Sequence, residues 1–213
     1  MIELHHFTFS PMQENTYLLI NEKKECIIID PGCYFENERK ELLQYIQTEG
    51  LNVTRLLNTH CHLDHIFGNK LVSETYKVRP EIHPNEQTIL DLSQQVGNMY
   101  NMPFPPSPMP GAYLTAGETF DFGDNRIEIR LVPGHSPGSV AFYCAAQKFV
   151  IGGDVLFRDS IGRTDLPGGD HETLLSSIRT QLFVLPDDVV VYPGHGPATT
   201  IGYEKQHNPF LNE

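Results

Sequence analysis

Apolar and polar residues alternate along this chain first with a period of two and then with a period near 3.6, and that succession predicts the elements. Residues 2–10, 15–20 and 25–30 read as strands, with polar Asn21, Glu22, Lys23 and Lys24 turning the chain between the last two. Residues 36–49 then read as a helix whose stripe is Leu42, Leu43 and Ile46, stopped by Gly50. A short buried strand is expected over 53–58, and Ile66, Lys70, Leu71 and Thr75 mark a helix running to about Tyr76. A strand over 80–83 precedes a helix from Pro84 to about Gln95, with Ile89 and Leu92 inward. Residues 97–111 carry five prolines and no period, so they are a loop.

A second strand-rich block follows at 119–122, 127–132, 139–145 and 148–151. A helix from His171 to about Leu185 places Leu174, Ile178 and Leu182 at four-residue spacing, and a strand over 189–192 precedes a last glycine-rich turn. Two blocks of strands with helices between them suggest an α/β protein in which sheets pack face to face with helices outside. At 213 residues and 39% hydrophobic content, one domain spanning residues 1–213 is expected.

Charge and cysteine content narrow the function. A net charge of −12 with no Lys/Arg cluster argues against nucleic acid as a partner. Residues 1–20 lack a basic segment followed by an apolar core, and no apolar run approaches a membrane span, so a cytoplasmic protein with no membrane partner is expected. Cys26, Cys33, Cys61 and Cys144 form no Cys-x-x-Cys pair and read as structural thiols. Cys61 stands apart, because it falls within the densest chemistry of the chain.

That chemistry is the run His60-Cys61-His62-Leu63-Asp64-His65. At this chain's composition the pattern His-x-His-x-Asp-His arises by chance in roughly one such sequence in a thousand. Neutral imidazole is the commonest metal ligand, and a carboxylate completes sites for zinc, iron or manganese. The run sits where a strand turns into a helix: His60 and His62, two apart in extended chain, share a side, while Asp64 and His65 swing toward a neighbouring ion. One stretch thus begins two adjacent sites, and further ligands are needed downstream. Three turns supply them at strand ends: Pro133-Gly134-His135-Ser136-Pro137-Gly138, Gly152-Gly153-Asp154, and Pro193-Gly194-His195-Gly196-Pro197. Glycine permits positive φ and close approach there, and proline stiffens the turn.

In these motifs and their order the chain resembles the metallo-β-lactamase superfamily, and more narrowly its small glyoxalase II-like hydrolases. The resemblance implies an αββα sandwich of two mixed β-sheets flanked by helices. It implies that His60, His62 and His135 bind one ion, that Asp64, His65 and His195 bind a second, and that Asp154 bridges them. Asp30 matches an early aspartate that supports the ligands from behind. The run from Ser160 to Gly169 and the tail from Gly194 to Phe210 are similar to segments of the short bacterial members. Full-length glyoxalase II enzymes carry a further helical domain that contributes to glutathione binding, which a chain ending at Glu213 is expected to lack.

Two divalent ions, zinc first and iron or manganese also suited, would supply a bridging hydroxide at neutral pH and polarise a carbonyl. Asp64 is the candidate catalytic carboxylate, orienting the hydroxide or taking its proton. A thiolate leaves without a general acid whereas an amide nitrogen needs one, so a small-molecule thioester or ester is the expected substrate. A mononuclear iron persulfide dioxygenase using His60, His135 and Asp154 is the alternative, and a non-enzymatic metal-binding protein the third reading. Arg163 and Asp165 are expected to pair structurally; His5, His6, His83, His171 and His207 are read as non-ligands. The proline-rich loop is read equally as a lid or as packing, and no oligomeric state follows from the sequence.

Overall fold

The computed structural model describes residues 1–211; Asn212 and Glu213, the end of the expected domain, lie outside the described residues. The chain divides into two compact units, Met1–Leu114 and Thr115–Glu213.

The first unit opens with β1 (Glu3–Phe9), β2 (Glu14–Ile20) and β3 (Glu25–Ile29), followed by α1 (Glu36–Thr48) and β4 (Asn52–Leu57). After β4 come α2 (Leu63–Ile66), α3 (Asn69–Tyr76), β5 (Pro80–Ile82), a 3-10 turn (Pro84–Glu86), α4 (Gln87–Met99) and β6 (Ala112–Tyr113). The sheet runs β1-β2-β3-β4-β5-β6, antiparallel through β3 and parallel from β3 onward. β2 is buried along its whole length, its polar Glu14, Asn15 and Thr16 included, and β3 along its last four residues, Cys26 to Ile29, which read as an unbroken apolar run. The turn expected at 21–24 is held by Asn21, whose side-chain oxygen accepts the backbone N–H groups of Lys23 and Glu25. Glu38 closes the start of α1: its carboxylate accepts N–H groups from Tyr34, Phe35 and, from the β1–β2 turn, Ser10. Leu42 and Ile46 of α1 join Leu18, Ile28, Leu56 and Val72 in the core, each buried side chain contributing about 1.5–3 kcal/mol.

Two expectations for this unit need correction. The helix after the histidine run is broken at Phe67-Gly68, because the Gly68 N–H leaves the helical ladder to bond Pro31 O at 2.7 Å. The helix expected to stop near Gln95 runs to Met99, so the loop starts later than 97. The stripe of α4 is Leu90, Ser93 and Gly97, continuing buried Glu86; Leu92 lies one position off it and is exposed, while Ile89 is half-buried. Gly97 lets the returning chain pack against the helix: a Cβ there would lie 2.9 Å from Met102 O and 3.0 Å from the Phe104 ring.

The second unit contains β7 (Thr119–Phe122), β8 (Asn125–Leu131), β9 (Val140–Cys144), β10 (Phe149–Gly153) and a small hairpin of β11 (Leu156–Phe157) and β12 (Ser160–Ile161). It continues with α5 (His171–Ser177), a π-helical turn (Ile178–Leu182), β13 (Val190–Pro193), β14 (Thr199–Thr200) and α6 (Ile201–His207). Its sheet runs β14-β13-β10-β9-β8-β7, antiparallel except for the parallel β10–β13 pair. Leu174, Ile178 and Leu182 are fully buried as their spacing predicts. The helix loosens into the π turn where Phe183 N–H bonds Ile178 O. The hairpin, β14 and α6 have no periodic signal long enough to be seen in the sequence.

Each unit thus has a mixed sheet with its own helices. In both, the chemistry-bearing residues follow the carboxyl ends of strands: Asp30 after β3 and the histidine run after β4 in the first unit, His135 after β8, Asp154 after β10 and His195 after β13 in the second. No helix among the described residues is long and apolar enough to cross a membrane.

Candidate metal centre

In the first unit the histidine run is fastened from behind by Asp30. This residue sits in the left-handed region at φ 50°, is 1% exposed, and aims its carboxylate at the turn after β4. Oδ1 accepts the Thr59 N–H at 2.7 Å, and Oδ2 accepts the Thr59 hydroxyl at 2.6 Å. Oδ2 also lies 3.1 Å from His65 Nδ1. A carboxylate only accepts, so Nδ1 carries the proton and Nε2 is the nitrogen turned toward Asp64, 3.8 Å from its Oδ2. The His60 ring lies 4.1 Å from that of His65 and 4.8 Å from that of His62, centroid to centroid. His60 and His65 are fully buried, Asp64 nearly so and His62 half-buried. Asp30, His60 and His65 also bring one donor atom each within 4.8 Å of one another. The carboxylate of Asp30 is thus engaged by Thr59, by His65 and, at 3.5 Å, by Asn58 Nδ2.

Behind this layer lies a polar network that the motif did not reveal. Asn58 Nδ2 donates to His65 O at 2.9 Å, and Asn69 Nδ2 donates to Asn58 Oδ1 at 3.0 Å and to Ser107 Oγ at 2.9 Å. Glu14, fully buried in β2, accepts the Thr16 hydroxyl at 2.9 Å, and its Oε1 lies 4.0 Å from His65 Nδ1. Burial, opposed by His65, drives the Glu14 carboxyl well above the ordinary carboxylate range. A carboxyl inside the buried strand of β2 was the available signal, and placing the strand's start at Asn15 passed over it. Glu86 accepts the Cys61 N–H at 2.8 Å. Burial and then the charges of Glu86 and Asp30 push the Cys61 thiol well up, so Cys61 is a packed thiol in the cluster of Leu63, Ile66, Phe67 and Phe104.

In the second unit a carboxylate stands between two imidazoles. Asp154 Oδ2 lies 3.6 Å from His135 Nε2 and 3.4 Å from His195 Nε2. His135 Nδ1 donates to Arg163 O at 2.7 Å, which turns Nε2 toward Asp154. The turn bearing His135 needs Gly134, at φ 126°, since a Cβ there would lie 2.3 Å from the Leu174 nitrogen. Arg163 offers its carbonyl to His135 while its guanidinium pairs with Asp165 through two contacts of 2.7 Å, holding that carboxyl down to about 2. The expected ion pair is therefore present.

Three of the remaining histidines make local contacts. His83 Nδ1 accepts the Asn85 N–H at the head of the 3-10 turn, His5 stacks on Tyr45 at 4.0 Å, and His207 Nδ1 bonds Tyr203 O. The proline-rich loop is tied down by Ser107, by Tyr34 OH on Pro103 O, and by Phe104 against Phe67 at 5.0 Å.

A model of the metallo-β-lactamase superfamily matches residues 10–195 and so spans both units. The chain is similar to the hydroxyacylglutathione hydrolase GloC of Haemophilus influenzae, with 38% identity over 204 residues, 94% of this chain and 93% of that protein. Among solved structures it is similar to the BLEG-1 B3 metallo-β-lactamase, at TM-score 0.91 and 36% identity over 99% of this chain and 100% of that one. It is also similar to TTHA1623, solved in a di-iron-bound form, at TM-score 0.88 and 37% identity over 97% of this chain and 100% of that one. These likenesses give the chain the fold read from its sequence, two mixed β-sheets flanked by helices, with donor residues that could bind metal. The chain belongs to the metallo-β-lactamase superfamily.

Proposed function

We propose that residues 1–213 form one metallo-β-lactamase-like domain that hydrolyses a small-molecule thioester or ester with two divalent ions. His60, His62 and His135 would hold one ion, Asp64, His65 and His195 the other, and Asp154 both. Zinc suits this donor set first, with iron and manganese also compatible. The observation that carries the reading is the placement of Asp154 Oδ2 within 3.6 Å of His135 Nε2 and 3.4 Å of His195 Nε2, the arrangement asked of a carboxylate shared by two ions. The nitrogen orientations support it: Asp30 and the Arg163 carbonyl take Nδ1 of His65 and His135, which leaves Nε2 for coordination.

Bound there, such ions would bring the pKa of water toward neutrality and polarise a carbonyl. Asp64, almost buried with its Oδ2 3.8 Å from His65 Nε2, would orient the attacking water or take its proton. A thiolate leaving group needs no proton donor, which matches a site built of imidazoles and carboxylates. The similarity to GloC, named for hydroxyacylglutathione hydrolysis, makes a hydroxyacyl thioester of glutathione the first substrate to try.

The test is elemental analysis of protein purified without added metal, followed by hydrolysis of a hydroxyacyl-glutathione thioester and of a β-lactam. About two ions per chain, thioester turnover, and its loss in His62→Ala and Asp154→Ala are expected. Full activity in either variant refutes the assignment. One iron per chain with oxygen uptake on glutathione persulfide would replace it with the dioxygenase, and turnover of the β-lactam alone would replace the substrate class.

A further inference from the structure

We propose that Glu86 is a positioning residue for the metal-ligand turn, holding the backbone between His60 and His62 through the Cys61 N–H. The inference rests on the reading above that these two histidines are ligands. Glu86 ends the 3-10 turn that follows β5, and β5 lies parallel beside β4, whose end launches the histidine run. Both features therefore emerge at the same edge of the sheet, and the carboxylate reaches across to accept the Cys61 N–H at 2.8 Å.

Glu86 is fully buried, as is Cys61. Sinking a carboxylate into the interior is costly, so the contact it makes there matters to the fold around it. Cys61 is fixed at two points: its thiol packs among Leu63, Ile66, Phe67, Ile82, Leu90 and Phe104, and its N–H is held by Glu86. With the intervening residue clamped inward, His60 and His62 are both directed to the other side of the chain. Their rings stand 4.8 Å apart at 89°, an arrangement that a rotation of the peptide preceding Cys61 would disturb. The rest of the run has other fasteners: Asp30 grips Thr59 and His65, and Asn58 grips the His65 carbonyl. Glu86 acts on the peptide N–H that lies between the two histidines.

A positioning role and a charge effect make different demands on the side chain. Glu86→Gln keeps an oxygen at the same reach and loses the charge; Glu86→Ala loses both. The zinc-loaded protein and the two variants are challenged with a chromophoric chelator, and the zinc affinity is read from the competition midpoint. Circular dichroism and the thermal midpoint establish that each variant is folded. Glu86→Ala is expected to weaken zinc binding by about 10- to 100-fold, the range of groups that orient ligands from behind. Glu86→Gln is expected to stay within about threefold of the parent, since the hydrogen bond survives. Should Glu86→Ala not fold, Glu86→Asp, which withdraws the oxygen by one methylene, takes its place with the same expectation. Unchanged affinity in the shortened variant overturns the proposal, and so does an equal loss in Glu86→Gln, which would make charge the cause. Failure of the parent protein to bind zinc or any other divalent ion would instead remove the metal-site reading itself.

Discussion

Replacing Gly162 by alanine should damage the centre without replacing any proposed ligand. An added Cβ would lie 2.0 Å from the Asp154 carbonyl oxygen, 3.1 Å from its carbonyl carbon and 3.3 Å from His135 Cβ. Ordinary contact begins near 3.4 Å, so about 1.4 Å of separation must be found, and the obstructing atom is backbone that cannot rotate away. Gly162 is not among the residues of positive φ, so alanine brings no conformational strain and the effect is purely one of space. The displaced segment carries Asp154, whose Oδ2 lies 3.4 and 3.6 Å from the two histidines, and the neighbouring Arg163 carbonyl that orients His135. Overpacking of this kind costs about 1–3 kcal/mol of stability. Misplacing catalytic groups by about 1 Å costs on the order of 100-fold in rate. Thermal unfolding, metal content and thioester turnover measure the three effects. Gly117→Ala is the control: its φ is 79° with nothing within 4 Å of the new Cβ, so it should cost about 1 kcal/mol and leave turnover unchanged. Parent-like stability and turnover in Gly162→Ala would refute the steric argument.

Asp30→Asn keeps a side chain tolerant of φ 50° and an oxygen for Thr59 but removes the charge facing His65; chelator competition should show metal affinity lowered about 10- to 100-fold. Arg163→Ala removes an exposed ion pair, so the chemical denaturation midpoint should barely move and KM for the thioester should hold; a tenfold rise in KM would show that Arg163 meets the substrate. Burial holds the Glu14 proton to higher pH in the folded state than in the unfolded chain, so this group lowers stability as pH rises above its ordinary value of 4.5. Glu14→Gln should flatten that slope in chelator-treated protein, and denaturation curves at mildly acid and neutral pH would reveal an unchanged slope if the reasoning fails.

The residues most visible in the sequence were those whose chemistry is local. His60, His62, Asp64 and His65 announce themselves within six positions, and the glycine turns around His135, Asp154 and His195 mark strand ends because glycine and proline act on the nearest peptide bonds. Periodicity located the longer strands and helices to within a few residues, but not the two-residue strands β6, β11, β12 and β14. What stayed hidden depends on partners distant in sequence. Glu86 meets Cys61 across 25 positions, Asn69 meets Ser107 across 38, and Arg163 serves His135 through its carbonyl, a group every residue carries. The stripe of α4 was misjudged at Leu92 for the same reason: the inward face is chosen by what Glu86 and Gly97 pack against, which a helical period alone does not say.

Because the chemistry-bearing turns all leave the carboxyl ends of strands, the opposite rim of each sheet is free to vary. Exposed connections gather there: Glu22–Lys24 before β3, Glu49 and Gly50 before β4, Ala145 and Ala146 before β10, Asp187 and Asp188 before β13. These are the places to graft a tag, splice in a reporter domain or open the chain for circular permutation, since new sequence would enter at the rim opposite the chemistry-bearing turns. In both units the architecture separates a working rim from an editable one, so a library of fusions can be built on this scaffold while its reactive groups stay fixed.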